Sequence, residues 1–125
     1  MCIRDSCKMH VDEGNIEREF WEVYEYFYDV MSLNLPVPSL LVFLDAEPEV
    51  AHARMVGRGR SAEEGVPLDY LVKLRRGYLD LLVEIESHAH AWSRGMRIMR
   101  VPWNVDNQDP TPIIDEIAHV CRLKK

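Results

Sequence analysis

The chain has 125 residues, the length of one ordinary domain, and 47% of them are hydrophobic while 29% are charged. This composition is typical of a folded protein and excludes the polar, highly charged class that stays disordered. The formal net charge of -6 argues against a broad surface for nucleic acid or anionic lipid, which clustered Lys and Arg would have to supply. Without an apolar run long enough for a membrane span, the sequence predicts a cytoplasmic protein with no membrane or nucleic-acid partner.

The cysteines predict neither a disulfide framework nor a metal site. Cys2, Cys7 and Cys121 are odd in number and include no C-x-x-C pair. Cys2, Cys7 and His10 could be drawn as metal ligands, but a fourth ligand would have to be recruited arbitrarily. We therefore expect reduced thiols that hold no metal ion.

The first clear element is an amphipathic helix. Residues Met1–Ser6 have no periodicity and match nothing downstream, so residues 1–7 are left unassigned. From Ile16 to about Met31, apolar side chains recur every three or four positions between acidic ones. The apolar set is Phe20, Val23, Phe27, Val30 and Met31. A stacking platform is the alternative use of such a stripe, but aromatic residues at helical spacing are more often core, and we expect this face to be buried.

A strand and a second helix follow. Pro36 and Pro38 end the first helix, and the unbroken apolar run Leu40–Leu44 then ends at Asp45. The length of the run and the flanking prolines favour a strand that is buried on both faces, as in a parallel sheet. A helix is predicted from Pro48 to Val56, because proline is well placed in a first turn that does not need its N–H.

The second half of the chain reads as loop, helix, strand and helix. Residues 57–65 form a short loop of glycine and charge, and a long helical pattern runs from Pro67 to near Gly95. A second strand is predicted over Met96–Val101, followed by a polar, proline-containing loop. The final helix is expected to direct these apolar residues inward: Ile113, Ile114, Ile117, Val120 and Cys121.

This order of elements implies an α/β layer fold with right-handed crossovers. However, a two-stranded sheet is marginal by itself, and a strand buried on both faces needs a neighbour on each edge. We therefore expect the chain to be a fragment of a larger parallel sheet.

An arginine cluster is the strongest chemical feature. Residues 54–64 read R-M-V-G-R-G-R-S-A-E-E, which places Arg54 and Arg58 one helical turn apart and Arg60 just beyond. Three guanidiniums can therefore converge, and arginine is suited to clasping phosphate oxygens through paired charged hydrogen bonds. The alternative is a solvated helix end whose arginines pair with Glu47, Glu49, Glu63 and Glu64, and the residues alone favour neither interpretation.

Two nucleotide-binding motifs do not account for the cluster. Gly57-x-Gly59-x-x-Ala62 fits the dinucleotide fingerprint G-x-G-x-x-A, but it ends a helix instead of following a strand, and we reject it. The motif G-x-x-x-x-G-K-[ST] occurs nowhere, so the sequence lacks the backbone cradle of P-loop enzymes.

A longer pattern surrounds the cluster. Residues 38–71 read P-S-L-L-V-F-L-D-A-E-P-E-V-A-H-A-R-M-V-G-R-G-R-S-A-E-E-G-V-P-L-D-Y-L. The part strand-D-x-x-P-E-V-A is shared with several nucleotide kinases, but R-x-x-x-R-x-R-x-x-E followed by G-[IV]-P-L-x-Y-L resembles the deoxyribonucleoside kinases. The resemblance covers nearly everything from Lys8 onward and implies a P-loop NTPase-type, three-layer α/β fold with a parallel sheet.

The resemblance also implies roles for individual residues. Arg54, Arg58 and Arg60 match the lid arginines that contact the phosphates of ATP and steady the transferring phosphoryl group. Glu63 matches the lid glutamate that hydrogen-bonds the 3′-hydroxyl of the deoxyribose. The loop 104–109 lies where the family wraps the adenine of ATP, although it is too divergent for individual contacts to be assigned. Its expected donor-binding residues are Asn104, Asp106 and Asn107.

The implied activity is transfer of the γ-phosphoryl group of ATP, with Mg²⁺, to the 5′-hydroxyl of a deoxyribonucleoside in nucleotide salvage. Residues 8–125 would be the C-terminal part of a single kinase domain, with the lid at about residues 54–66. A homodimer is compatible with the resemblance. The ATP loop, the catalytic-base glutamate and the Glu-Arg-Ser segment would lie upstream of residue 8, and without them the chain alone would be inactive. The alternatives are a nucleoside monophosphate kinase, such as thymidylate kinase, and a non-enzymatic α/β fragment or interaction module.

Overall fold

Two parallel strands form the centre of the fold. The computed structural model describes residues 3–122, in which β1 spans Leu40–Asp45 and β2 spans Arg97–Pro102. The register begins with Leu40 opposite Arg97 and continues in parallel to the end of both strands. Both strands lie where the sequence predicts them, within one residue at each end, and the α/β class is confirmed.

Helices connect and flank the strands. The helices of the described residues are α1 (Ile3–Asp12), α2 (Arg18–Ser32), α3 (Pro48–Arg58), α4 (Leu68–Glu86) and α5 (Thr111–Arg122). Short 3₁₀ turns lie at Ser61–Glu63 and Ala91–Ser93. The four helices predicted at the positions of α2, α3, α4 and α5 are confirmed, whereas α1 was not predicted.

Helix α4 provides most of the core. Leu81 and Ile85 of α4 form a buried cluster with Met96, and Ile85 is fully enclosed. The residues packed around this cluster are Leu41, Trp92 and Ile98. Because burial of a Leu or Ile side chain stabilises a fold by about 1.5–3 kcal/mol, this cluster attaches both strands to α4.

Helix α4 ends well before its predicted end near Gly95. The chain leaves the helix at Ser87, and His88 has a φ of 53°, in the left-handed region that a right-handed helix cannot continue through. The N–H of Ser87 still donates to the carbonyl of Val83 at 3.0 Å. The apolar residues beyond this point therefore pack from a turn and a strand, not from a helix.

Helix α2 is confirmed, but the face predicted to be buried is exposed. This face, the α2 stripe, consists of Phe20, Val23, Phe27, Val30 and Met31, which are 42% to 68% exposed. Another face carries the rings of Trp21, Tyr24 and Tyr28, which stack on one another along the helix. This face contacts other elements, because Tyr28 meets Trp92 edge-on at a centroid distance of 5.9 Å and the guanidinium of Arg4 lies 5.7 Å from the ring centroid of Trp21. Helix α2 thus has two apolar faces, and the one with the larger aromatic rings is used because it buries more surface.

Two other burial predictions are wrong. Strand β1 is not buried on both faces, because Leu44 is exposed and the preceding residues of the strand are half-buried. Among the described residues β2 is its only paired strand, so one edge has no neighbour. In α5, Ile114 also points outward. The predictions on Cys2 and on the side chain of Cys121 lie outside the described part of the chain.

Helix α1 begins at Ile3, inside the segment that the sequence left unassigned. Arg4 of α1 is buried and forms ion pairs with Glu25 of α2 at 3.1 Å and with Glu84 of α4 at 3.0 Å. A buried charge is stable only when it is paired, and two carboxylates satisfy this requirement. No indication of these contacts came from the sequence, because the segment was judged by local periodicity alone.

We predict that the exposed α2 stripe binds hydrophobic dyes such as anilinonaphthalene sulfonate. Replacing Val23 and Val30 with serine should lower the dye fluorescence, because these two valines belong to the continuous apolar surface. The matched control replaces Val72 and Val83, two exposed valines of α4, and should change it less. Dye fluorescence is measured by titration, and equal losses of fluorescence in the two double variants would show that the α2 stripe is not the main dye-binding surface.

Candidate functional site

Helix α3 positions the arginine cluster directly after β1. Pro48 occupies its first turn, and the helix continues through Arg58 before it ends at Gly59. The loop predicted over residues 57–65 therefore begins two residues later than expected. Gly59 has φ 64° and ψ 33°, a left-handed conformation that glycine adopts without steric cost. This turn separates Arg60 from the helix and leads into the 3₁₀ turn that contains Glu63.

Arg58, Arg60 and Glu63 meet after this turn. Nη2 of Arg58 donates to both carboxylate oxygens of Glu63 at 2.7 Å, and Nη1 of Arg60 lies 3.7 Å from Oε1 of Glu63. The N–H of Glu63 donates to the carbonyl of Arg60 at 2.9 Å, which fixes the turn. Each guanidinium has five N–H donors, so both arginines retain donors for a further anion.

Arg54 has different partners. Its Nε donates to Oδ1 of Asp106 at 2.9 Å and its Nη1 donates to the carbonyl of Trp103 at 2.7 Å. Both acceptors belong to the loop after β2. The structure thus divides the three predicted arginines between two places, because Arg58 and Arg60 lie at Glu63 while Arg54 contacts the loop.

The loop after β2 is attached to the end of β1. The N–H of Trp103 donates to the carbonyl of Asp45 at 2.8 Å, and Oδ1 of Asn104 accepts from the N–H of Glu47 at 2.7 Å. Asn107 has a φ of 56°, a left-handed conformation that asparagine tolerates better than most residues. The three predicted donor-binding residues Asn104, Asp106 and Asn107 therefore lie on one ordered loop beside α3.

An open cup of about 590 Å³ is lined by residues of α3 and of the lid. Arg60, Glu63 and Gly65 are among the residues that line it. His52 and Val66 also line it, and Nε2 of the His52 ring lies 3.2 Å from the carbonyl oxygen of Val66. A cup of this volume is within the range of small-molecule sites, and its rim combines cationic and anionic groups.

Sequence reasoning missed an ion cluster around the buried Asp45 at the carboxyl end of β1. The carboxylate of Asp45 accepts from Nε of Arg75 and from Nε of Arg100, each at 2.8 Å. Arg75 also donates to Glu47 at 3.1 Å. A carboxylate that directly follows an apolar strand is the feature that could have revealed this cluster, because the carboxyl edge of a parallel sheet is where ligand sites form.

The two arginines perturb the ionisation of Asp45. Hydrogen bonds from Arg75 hold the pKa of the Asp45 carboxyl below its ordinary value of 3.8; burial opposes this effect, and hydrogen bonds from Arg100 lower the pKa further. Asp45 is therefore ionised at neutral pH and holds β1, β2 and α4 together at the edge beside the loop.

Within residues 3–122, no group of three or more His, Cys, Asp and Glu side chains is arranged to hold a metal ion. In the same part of the chain, every helix is too short or too polar to cross a membrane.

The chain as a whole is similar to known proteins. The family model described as Deoxynucleoside kinase matches residues 3–122. The chain is similar to the deoxyguanosine kinase of Dictyostelium discoideum, with 32% identity over 92 residues, which cover 74% of this chain and 30% of that protein. It is 28% identical over 97 residues to the deoxyadenosine kinase of the same organism, covering 78% of this chain and 37% of that protein. The human deoxycytidine kinase is 40% identical over 58 residues, covering 43% of this chain and 22% of that protein.

The chain therefore spans between 22% and 37% of the length of these three relatives.

We predict that Asp45→Asn lowers the free energy of unfolding by about 1–3 kcal/mol at pH 7, because charged hydrogen bonds to two arginines are lost. The folded pKa of Asp45 is below its unfolded value, so the stabilisation is present above about pH 4 and is lost as the pH falls through the folded pKa. The free energies of unfolding of the wild-type chain and of Asp45→Asn, measured with denaturant, should therefore converge in acid. Asp80→Asn, at an exposed site of α4, is the control, and a difference that is independent of pH would contradict the ion cluster.

Proposed function

The chain belongs to the deoxynucleoside kinase family, and we propose that it is the C-terminal part of an enzyme that phosphorylates a deoxyribonucleoside. The γ-phosphoryl group of ATP would be transferred to the 5′-hydroxyl of the nucleoside, a reaction in which the protein contributes mainly positioning and charge stabilisation. In this proposal residues 8–125 belong to one kinase domain of the three-layer P-loop type, and residues 54–66 are its lid.

The observation that best supports this proposal is the pair Arg58 and Arg60 on either side of Gly59. Both guanidiniums contact Glu63 at the rim of an open cup. Helix α3 begins directly after β1, so the lid extends from the carboxyl edge of the two parallel strands, where α/β proteins bind their ligands.

Each residue has a proposed role. Arg58 and Arg60 bind the phosphates of ATP and stabilise the charge on the transferred group, while Glu63 accepts a hydrogen bond from the 3′-hydroxyl of the sugar. Arg54 holds the loop of Asn104 and Asp106 through the contacts described above, and through that loop contributes to binding the adenine end of ATP.

The proposed magnesium ion fits none of the described residues, which include no cluster of metal ligands. We therefore assign this chain to the phosphate, sugar and adenine groups and not to the metal ion. The nucleotide cradle and the catalytic base are assigned to sequence outside these 125 residues.

The exposed α2 stripe and the unpaired edge of β1 support a larger assembly. Both are apolar, and neither has a covering partner among residues 3–122. In the proposal the further strands of the kinase sheet pair with β1, and the α2 stripe packs against the remainder of the domain or against a second subunit in a homodimer. Of the alternatives, a nucleoside monophosphate kinase is disfavoured because the similar proteins above are named as nucleoside kinases.

The isolated 125-residue chain should show no phosphorylation of deoxynucleosides, because lid arginines cannot replace a nucleotide cradle and a catalytic base. Incubation with ATP, magnesium and radiolabelled deoxyguanosine, deoxyadenosine or deoxycytidine measures this directly. Turnover by the isolated chain that disappears in Arg58→Ala would contradict the proposal that the nucleotide cradle and the catalytic base lie outside these 125 residues.

In a full-length enzyme containing this segment, Arg60→Ala and Glu63→Ala should fail in different ways. Loss of Arg60 should mainly lower kcat, by about three to five orders of magnitude at the upper limit for arginines that stabilise transferred charge. Loss of Glu63 should reduce the preference for a deoxynucleoside over its 3′-deoxy analogue, since the site loses the group that recognises the hydroxyl. Steady-state kinetics with both substrates measures the two effects. Retained discrimination in Glu63→Ala would show that the assignment of Glu63 is wrong.

A further inference from the structure

Glu63 is already engaged by the arginines that are proposed to bind phosphate. Both of its carboxylate oxygens accept from Nη2 of Arg58 at 2.7 Å, and Arg60 lies 3.7 Å away. The side chain of Glu63 is only 25% exposed, whereas those of Arg58 and Arg60 are 49% and 64% exposed. The carboxylate therefore lies on the inner side of the lid, beneath two guanidiniums that solvent and anions can reach.

We infer that Glu63 is an internal counter-ion that competes with a polyphosphate for Arg58, and that polyphosphate binding releases its carboxylate for the sugar hydroxyl. This inference rests on the proposed function of the lid. It adds that the phosphate donor and the nucleoside bind with positive coupling. The reason is that Arg58, which binds the phosphate donor, and Glu63, which binds the nucleoside, are paired with each other when neither ligand is bound.

The coupling arises because the ion pair between Arg58 and Glu63 has to break only once for both ligands to bind. If a polyphosphate binds first, it separates Arg58 from Glu63 and bears the cost of that separation. A nucleoside that binds afterwards meets a carboxylate that is already free, so its affinity is higher by the same factor, and linkage makes the effect reciprocal. Because the pair is partly exposed and screened by solvent, we expect a factor of about twofold to fivefold.

The local backbone permits this exchange without unfolding α3. Gly59 and Gly65 both have left-handed φ values, 64° and 82°, and they flank the 3₁₀ turn that bears Glu63. Glycine can change its φ at little steric cost, so the backbone at both ends of this turn is free of the restriction that a side chain would impose. Glu64 follows Glu63 in the chain and is exposed, which makes it a matched site for the same change of charge.

The test is calorimetric titration of the complete 125-residue chain with inorganic tripolyphosphate. Glu63→Gln and Glu64→Gln each remove one negative charge from the lid, so general electrostatics should strengthen binding in both. Glu63→Gln should bind tripolyphosphate about twofold to fivefold more tightly than Glu64→Gln, because only Glu63 competes for Arg58. In an Arg58→Ala background this advantage should disappear, as a double-mutant cycle requires.

The outcomes separate the inference from the proposed function. If Arg58→Ala weakens tripolyphosphate binding but the two glutamine variants bind equally, the counter-ion role of Glu63 is overturned while phosphate binding by the lid stands. If Arg58→Ala leaves tripolyphosphate binding unchanged or no binding is observed, both are overturned. An advantage of Glu63→Gln that persists without Arg58 also overturns the competition.

Discussion

The parallel pairing of β1 with β2 brings together the carboxyl ends of both strands, and the site depends on that arrangement. From this shared edge, β1 continues into α3 and the lid, and β2 continues into the loop that follows it. The N–H of Trp103 donates to the carbonyl of Asp45, and the N–H of Glu47 donates to Asn104, so the two continuations are joined where they leave the strands. An antiparallel pair would have placed the lid and the loop at opposite ends of the sheet.

The Asp45 cluster stabilises this edge by electrostatics. Arg75 belongs to α4 and Arg100 to β2, so one buried carboxylate connects three elements. Farther along, Arg54 ties α3 to the loop, while Arg58 and Arg60 remain on the exposed side with Glu63. Charges that look alike in sequence thus have different tasks: some hold the scaffold, and others lie where an anion can reach them.

Much of this could be predicted from local sequence. The apolar run of β1, the proline of α3 and the spacing of the arginines depend on residues within one or two turns of each other, and the corresponding elements are confirmed. Gly59 with its flanking arginines was recognised as a unit for the same reason. The proposed roles of Arg58, Arg60 and Glu63 came from resemblance to a family, and they remain predictions.

The features that were missed depend on distant partners. Periodicity identified α2 but could not tell which of its two apolar faces the rest of the chain would cover, and Trp92, which decides this, is far along the sequence. Similarly, Arg4 and Asp45 have partners on other elements, so no local pattern indicates them. The early end of α4 depends on one left-handed residue, His88, of a type that usually tolerates a helix.

The central claim, that the lid and the adjoining loop form one phosphate-binding and donor-binding surface, is tested most directly by nuclear magnetic resonance. Backbone amide shifts of the chain would be recorded during titration with ATP. The account predicts that the perturbed amides lie in Gly57–Glu63 and in Trp103–Asn107, because these segments contain the arginines and the loop that Arg54 anchors. Shifts centred instead on the charged groove between α1 and α4, with the lid unaffected, would contradict it.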